Sequence, residues 1–280
     1  MDKKYELTDK TREWNGHTLH RIKALKDFSN VKKGNIGGWV EKEDNLSQDG
    51  DCWIGDDAKV YDNARVFLKA IIYGKAEIGG NSIIFDKAQV YGNAYINGNA
   101  EIWGNAKVYD NAQVYDNAEI RGNATVSDNA RVYDHVQVYG SARIYDHAWI
   151  YGNAVVSDNA EVYGNAVVCG DAKVYDNAQV FDKALVSGNA KVYGNAKING
   201  YAEICGNAEV KSINDYAVFK NFWSSGRYFT WTKSNNRWKV GCFYGTGEEL
   251  VKEAYELSDE SGKNYEIIVN SVKQINSIFH

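Results

Sequence analysis

The sequence predicts an all-β solenoid: a parallel β-helix of about nine 18-residue coils, followed by a small α+β domain. Three observations predict it. Every sixth residue from Ile54 to Val210 is Ile or Val, without a slip. The residue two places before each of them is Ala, except at Cys52, Ser82 and Val136. Proline is absent, so turns fall to Gly, Asn and Asp, the residues that dominate the last two places of the six-residue unit.

Residues 1–51 break the six-residue period and read as an N-terminal β cap. Trp14-Asn15-Gly16 has the chemistry of a hairpin turn between short strands, with Leu19, Ile22 and Leu25 following. Gly37-Gly38-Trp39-Val40 resembles the start of a first, imperfect coil, and the polar stretch Ser47 to Asp51 resets the phase. A solenoid end without a cap exposes strand edges that invite polymerisation.

Residues 52–212 form the solenoid. The unit Ala-x-Val-Tyr-Gly/Asp-Asn is seen at Ala106-Lys107-Val108-Tyr109-Asp110-Asn111. Its first four residues alternate in and out as a short strand, with Ala and Val inward. Its last two suit corners that need left-handed backbone angles. Three units close a triangular coil, and the coils stack into a prism roughly 40 Å long.

Residues 213–280 read as an α+β domain. Tyr228 to Phe243 is a hairpin turning at Ser234-Asn235-Asn236. Thr246 and Glu249 have capping-box spacing. Leu250, Val251, Ala254 and Leu257 form one helical stripe. A second helix is expected after Gly262, with Tyr265, Ile268, Val269, Val272 and Ile275 on one face.

The formal net charge is -5 and the pI about 5.6, which gives no global argument for nucleic-acid binding. Cys52, Cys169, Cys205 and Cys242 show neither CxxC pairing nor metal-ligand spacing. Cys169 and Cys205 lie two coils apart, too far for a disulfide. The start of the chain lacks an apolar signal core, and no apolar run approaches the ~18 residues of a membrane span. The expectation is a cytoplasmic protein with no membrane partner, resident metal or cofactor.

The hexads resemble those of the left-handed parallel β-helix, the hexapeptide-repeat proteins. The handedness is implied by that resemblance alone, since ordinary parallel crossovers are right-handed. Many hexapeptide-repeat proteins are trimeric acyltransferases that use acyl-CoA or acyl carrier protein. The stretch Leu19 to Asp51, with Ala24-Leu25-Lys26-Asp27-Phe28 and Gly37-Gly38-Trp39-Val40, also resembles a phage, prophage and bacterial subgroup whose members are described as transferases without a defined activity. A trimer would fit what the family implies.

Four candidate sites follow. Acyl transfer in this fold needs a general base, usually His. His135 and His147 are the histidines of the repeat; both occupy the corner slot that usually holds Asn. They sit at different corners, so they cannot form a pair, and no insertion interrupts residues 52–212 to wall off a pocket. The second candidate is an exposed face. Tyr73, Tyr91, Tyr109, Ser127, Tyr145, Tyr163 and Phe181 form one stacked row, which β-surface pairing explains without a partner. Tyr133, Trp149, Tyr151, Val167 and Leu185, with Cys169 among them, should form a contiguous apolar area suited to an interface. The third is the C-terminal hairpin, where Arg227, Trp231, Lys233, Arg237, Trp238 and Lys239 interleave cations with aromatic rings, as a nucleotide-like or other anionic ligand would require. The fourth is a row of corner aspartates, such as Asp110, Asp116 and Asp128, that could imitate a phosphate backbone; Lys107, Arg131 and Lys173 mix that field and weigh against it.

The sequence therefore favours a non-catalytic binding or assembly protein of phage or prophage type. Its expected partners are further copies of itself, as a dimer or trimer, or a host protein. The competing expectation is an acyltransferase using acetyl-CoA or another acyl-CoA, with His135 or His147 as base.

Overall fold

The computed structural model describes residues 3–223 and 225–278. Strands β1 (Tyr5–Trp14), β2 (His17–Ala24) and β3 (Ile36–Val40) precede the solenoid, and 27 two-residue strands, β4 to β30, run from Trp53–Ile54 to Glu209–Val210. Their even spacing holds throughout. Each strand pairs in parallel with its counterpart one coil on, as Lys107 does with Thr125 and Val108 with Val126. Two faces are nine-stranded sheets; the third continues through β3, β2 and β1 into a twelve-stranded sheet.

The core follows from the alternation. Inward Val and Ile and the Ala before them are buried along the whole prism. Because coils are in register, Val stacks on Val and Ala on Ala, and up to the last coil the backbone N–H of each strand's outward residue finds a carbonyl in the next coil, as Lys107 N–H does at Ala124 O, 2.9 Å away. Outside this core, rings on successive coils stack nearly parallel: Tyr73 on Tyr91 at 4.6 Å and Tyr91 on Tyr109 at 4.8 Å.

The corners explain the acidic residues. Asp56, Asp62, Asp134, Asp146, Asp176 and Asp182 each have left-handed backbone. Each accepts the backbone N–H of the corner glycine in the next coil, at 2.9–3.1 Å. These carboxylates tie one coil to the next and do not form a free phosphate-like array. Beside them the corner asparagines form side-chain ladders, such as Asn63 to Asn81 to Asn99 to Asn117.

At the N-terminal end β3 enters the solenoid sheet itself. Trp39 pairs in parallel with Lys59 and Val40 with Val60. That step along the chain is two longer than the regular coil, and Leu46 bridges Val66 with the same excess. The polar stretch before Cys52 thus supplies the extra length and restores the phase. β2 then pairs antiparallel with β3 and β1 with β2, around a turn in which Asn15 and Gly16 both have positive φ. The new edge, β1, is charge-rich and carries an irregularity between Leu7 and Thr11, features that discourage further pairing.

The C-terminal segment has its own core, built from Phe229, Trp231, Trp238, Val240, Leu250, Ala254, Tyr265, Val269 and Val272. The expected hairpin is the centre of a larger antiparallel sheet: β31 (Tyr216–Lys220), β32 (Tyr228–Thr232), β33 (Arg237–Val240) and β34 (Phe243–Gly245). Helix α1 (Gly247–Leu257) starts at the Thr246–Glu249 capping box. Helix α2 begins at Asp259, earlier than the sequence suggested. Ser258 is extended and its hydroxyl accepts the Ser261 N–H at 3.1 Å, which starts the helix before Gly262. Gly262 instead lets the helices approach: a Cβ there would lie 2.2 Å from the Tyr255 ring. Two residues of the expected stripes are exposed, Leu257 at the end of α1 and Ile275 in the last turns of α2.

Candidate functional site

The third face carries an outward apolar ladder. Arg131, Trp149, Val167, Leu185 and Glu203 are successive register partners on it. Trp149 is 42% exposed, and the Arg131 guanidinium stands 5.1 Å from its ring. One place along each strand, Tyr133 stacks between Tyr115 at 5.0 Å and Tyr151 at 5.3 Å. A hydrogen bond with Cys169, together with burial, pushes the Tyr151 hydroxyl up to about 12. Thus Tyr133, Trp149, Tyr151, Val167 and Leu185 lie together on one flat face.

The two solenoid histidines lie at different corners. His135 follows Tyr133 and His147 follows Tyr145, with their backbone N–H groups in the ordinary coil-to-coil bonds to Gly152 O and Gly164 O. His147 Nε2 lies 3.4 Å from Asn129 Nδ2, so the imidazole ends an asparagine ladder that runs through Asn93 and Asn111. Neither histidine lines the cavities of about 490 and 410 Å³.

The basic-aromatic hairpin is not gathered into one site. Trp231 and Trp238 face each other across β32 and β33 and are buried in the domain core. Arg237 lies 3.6 Å from Glu249 and Lys239 3.8 Å from Glu203, so both cations meet carboxylates. Arg227 is exposed. Of the six residues, Trp231 and Lys233 come together; with Tyr216, Phe219 and Val272 they line the cavity of about 490 Å³.

One cluster escaped sequence reasoning. His17 Nδ1 lies 3.1 Å from Glu41 Oε1, and its Nε2 lies 3.5 Å from Asp62 Oδ1. One ligand atom from each residue falls within 4.8 Å of the others, the spacing of a cation site. Both carboxylates are already used, however. Glu41 accepts the Asp62 N–H at 2.6 Å, and Asp62 accepts the Gly80 N–H at 3.0 Å. The imidazole, tilted over Tyr61 at 5.0 Å, clamps the β1–β2 hairpin to the first coil. The three residues come from the hairpin, the end of β3 and a solenoid corner; no repeat relates them, so no spacing announces the cluster.

A family profile described as YdcK Beta solenoid repeat matches residues 142–158. The regular six-residue solenoid fits a hexapeptide-repeat family. The chain is also similar to the Uncharacterized acetyltransferase YdcK of Escherichia coli (strain K12), with 42% identity over 65 residues. That match spans 23% of this chain and 18% of the relative's length. Within any hexapeptide repeat, packing dictates inward Ala and Val and corner Gly, Asp and Asn. Identity over such units therefore reports the scaffold before it reports a site.

Proposed function

We propose that this chain is a non-catalytic, rigid binding and assembly protein that works through the face of Tyr133, Trp149, Tyr151, Val167 and Leu185. The observation that carries the reading is the exposed Trp149, in register with Val167 and Leu185 on a flat sheet. A β-solenoid face is pre-ordered, so little conformational freedom is lost on association, and a buried aromatic anchor is the usual energetic centre of an interface. A second copy is the first partner to test. Light scattering should give a mass above one chain, and Trp149→Glu should reduce it, since a carboxylate cannot be buried there unpaired. An unchanged mass in the variant rules the face out as the main contact.

The match to the E. coli acetyltransferase favours a second reading, an acyl-CoA-dependent acyltransferase with His135 or His147 as general base. Against it stand the exposed corner positions of both histidines and the unbroken run of strands, which leaves no loop to enclose a water-poor site. A thermal shift with acetyl-CoA separates the two. Stabilisation that disappears in His147→Ala or His135→Ala would sink the non-catalytic reading; no shift supports it.

A further inference from the structure

The solenoid between Gly50 and Gly206 has 27 corner residues with left-handed backbone. Fifteen are Gly and eleven are Asp; the remaining one is Leu68, with φ 60°. Gly takes this conformation freely and Asp tolerates it, whereas Leu is strained there. Leu68 also forgoes the carboxylate bond to the next coil that other corners make. Nothing in the packing requires a leucine, because its side chain is 48% exposed. A residue that breaks both the conformational and the burial rule marks a place held for something other than folding.

The surroundings say what that is. Leu68 lies beside a cavity of about 410 Å³, lined also by Gly50, Lys69, Asp86, Lys87 and Gly104. That volume is in the range of small-molecule sites, roughly 300–1,000 Å³. Gly50 lets its coil close on the next one here, for a Cβ there would fall 2.5 Å from Leu68 O. Lys69 and Lys87 replace the usual corner Asn one coil apart, and among the described residues neither ammonium group meets an acceptor or an acid. The one carboxylate of the lining, Asp86, already accepts the Gly104 N–H at 3.3 Å. The residues just before these corners, Phe67, Phe85 and Trp103, stack on one another at 5.2 and 5.6 Å. Two like charges held one coil apart repel each other, and an anion between them lowers that cost.

We propose that this corner binds a soluble small molecule with an apolar body and a phosphate or carboxylate head. The body lies on Leu68; the head lies between Lys69 and Lys87. The probe is monomeric dodecyl phosphate, titrated calorimetrically into the full chain. The wild type should bind it, more weakly as salt rises, and should bind inorganic phosphate far less. Leu68→Asn should weaken binding about tenfold or more while leaving the melting temperature equal or higher, because Asn accepts left-handed backbone. Leu68→Gly, which fits that backbone outright, should lose binding in the same way. Lys69→Gln with Lys87→Gln should also lose it, together with the salt dependence. The proposal is overturned if the wild type does not bind the probe, if Leu68→Asn and Leu68→Gly bind it unchanged, or if the chain sediments with anionic vesicles yet ignores the monomeric probe.

Discussion

The N-terminal end of the solenoid is closed by more of its own sheet, the C-terminal end by side chains of a domain with a separate core. At the first end β3 adds a parallel rung, and Val40, Ile22 and Tyr5 join the solenoid core. At the last end, no strand among the described residues continues the ladder. Thr230 Oγ and Ser234 Oγ instead accept the N–H groups of Glu203 and Glu209, at 2.9 and 2.7 Å, where the carbonyls of a further coil would have stood. The Tyr216 hydroxyl donates to Lys197 O at 2.8 Å, and Tyr201 stacks on Tyr228 at 4.2 Å. Both devices quench an exposed edge. They differ in coupling: a cap that shares the core must melt with the solenoid, whereas a docked domain can melt first.

The strongest way to break this comparison is Trp238→Ala. The indole is buried at the centre of the second core, and its removal should cost about 3–5 kcal/mol. Calorimetry should then show two transitions, an early one for the C-terminal domain and a later one unchanged from the wild-type solenoid. Because the early transition bares the last coil, the species between them should self-associate with rising concentration. A single transition that moves as a whole would show that the two cores form one cooperative unit.

Asp57→Asn probes the other end. The Asp57 carboxylate accepts from Trp39 Nε1 at 2.9 Å, Arg12 at 3.2 Å and Arg21 at 3.3 Å, while both guanidinium groups lie 4.8 Å from the Trp39 ring. The Trp39 hydrogen bond first, and then the arginines, hold this carboxyl below its ordinary value of 3.8. A depressed carboxylate contributes stability above its unfolded pKa and loses it as pH falls through the folded one. The group is 44% exposed, so screening limits the effect to about 1 kcal/mol or less. At neutral pH the solenoid transition itself should shift down. The difference between variant and wild type should close as the solution is acidified past the ordinary carboxylate range; a constant gap at all pH values would contradict this assignment.

What could be read from sequence divides along the same line. The hexad made the prism legible because one packing rule repeats: Val132, Val138 and Ile144 need only the coil above and below. Register followed from the period, which is why the placement of Trp149 beside Val167 could be anticipated. The caps were harder, because their contacts are not periodic. Trp39, Arg12, Arg21 and Asp57 come from four unrelated positions, and β31 and β34 are strands only because the hairpin supplies partners. From sequence Arg237 and Lys239 read as candidates for an anionic-ligand site, whereas tertiary contacts give them Glu249 and Glu203. Leu68 was visible as a departure from the corner consensus, yet its meaning depended on φ and exposure, which no spacing reveals.

The smallest expected effect comes from Thr230→Val combined with Ser234→Ala, which removes the two hydroxyls that stand in for the missing coil. A hydrogen bond of this kind is worth about 1 kcal/mol, and less where water can replace it, as at the exposed Glu209. The melting temperature should therefore barely change, and hydrogen exchange is the sharper measurement. Amides of Glu203 and Glu209 should exchange faster, Glu203 more so because its site is partly buried. Those of Lys107 and Arg131, mid-solenoid and bonded to carbonyls of the next coil, should be unaffected. If the two terminal amides keep their protection, the docked domain seals the edge by covering it, and its hydroxyls are incidental; if mid-solenoid amides also lose protection, the last coil is coupled to the rest more tightly than nearest-neighbour stacking allows.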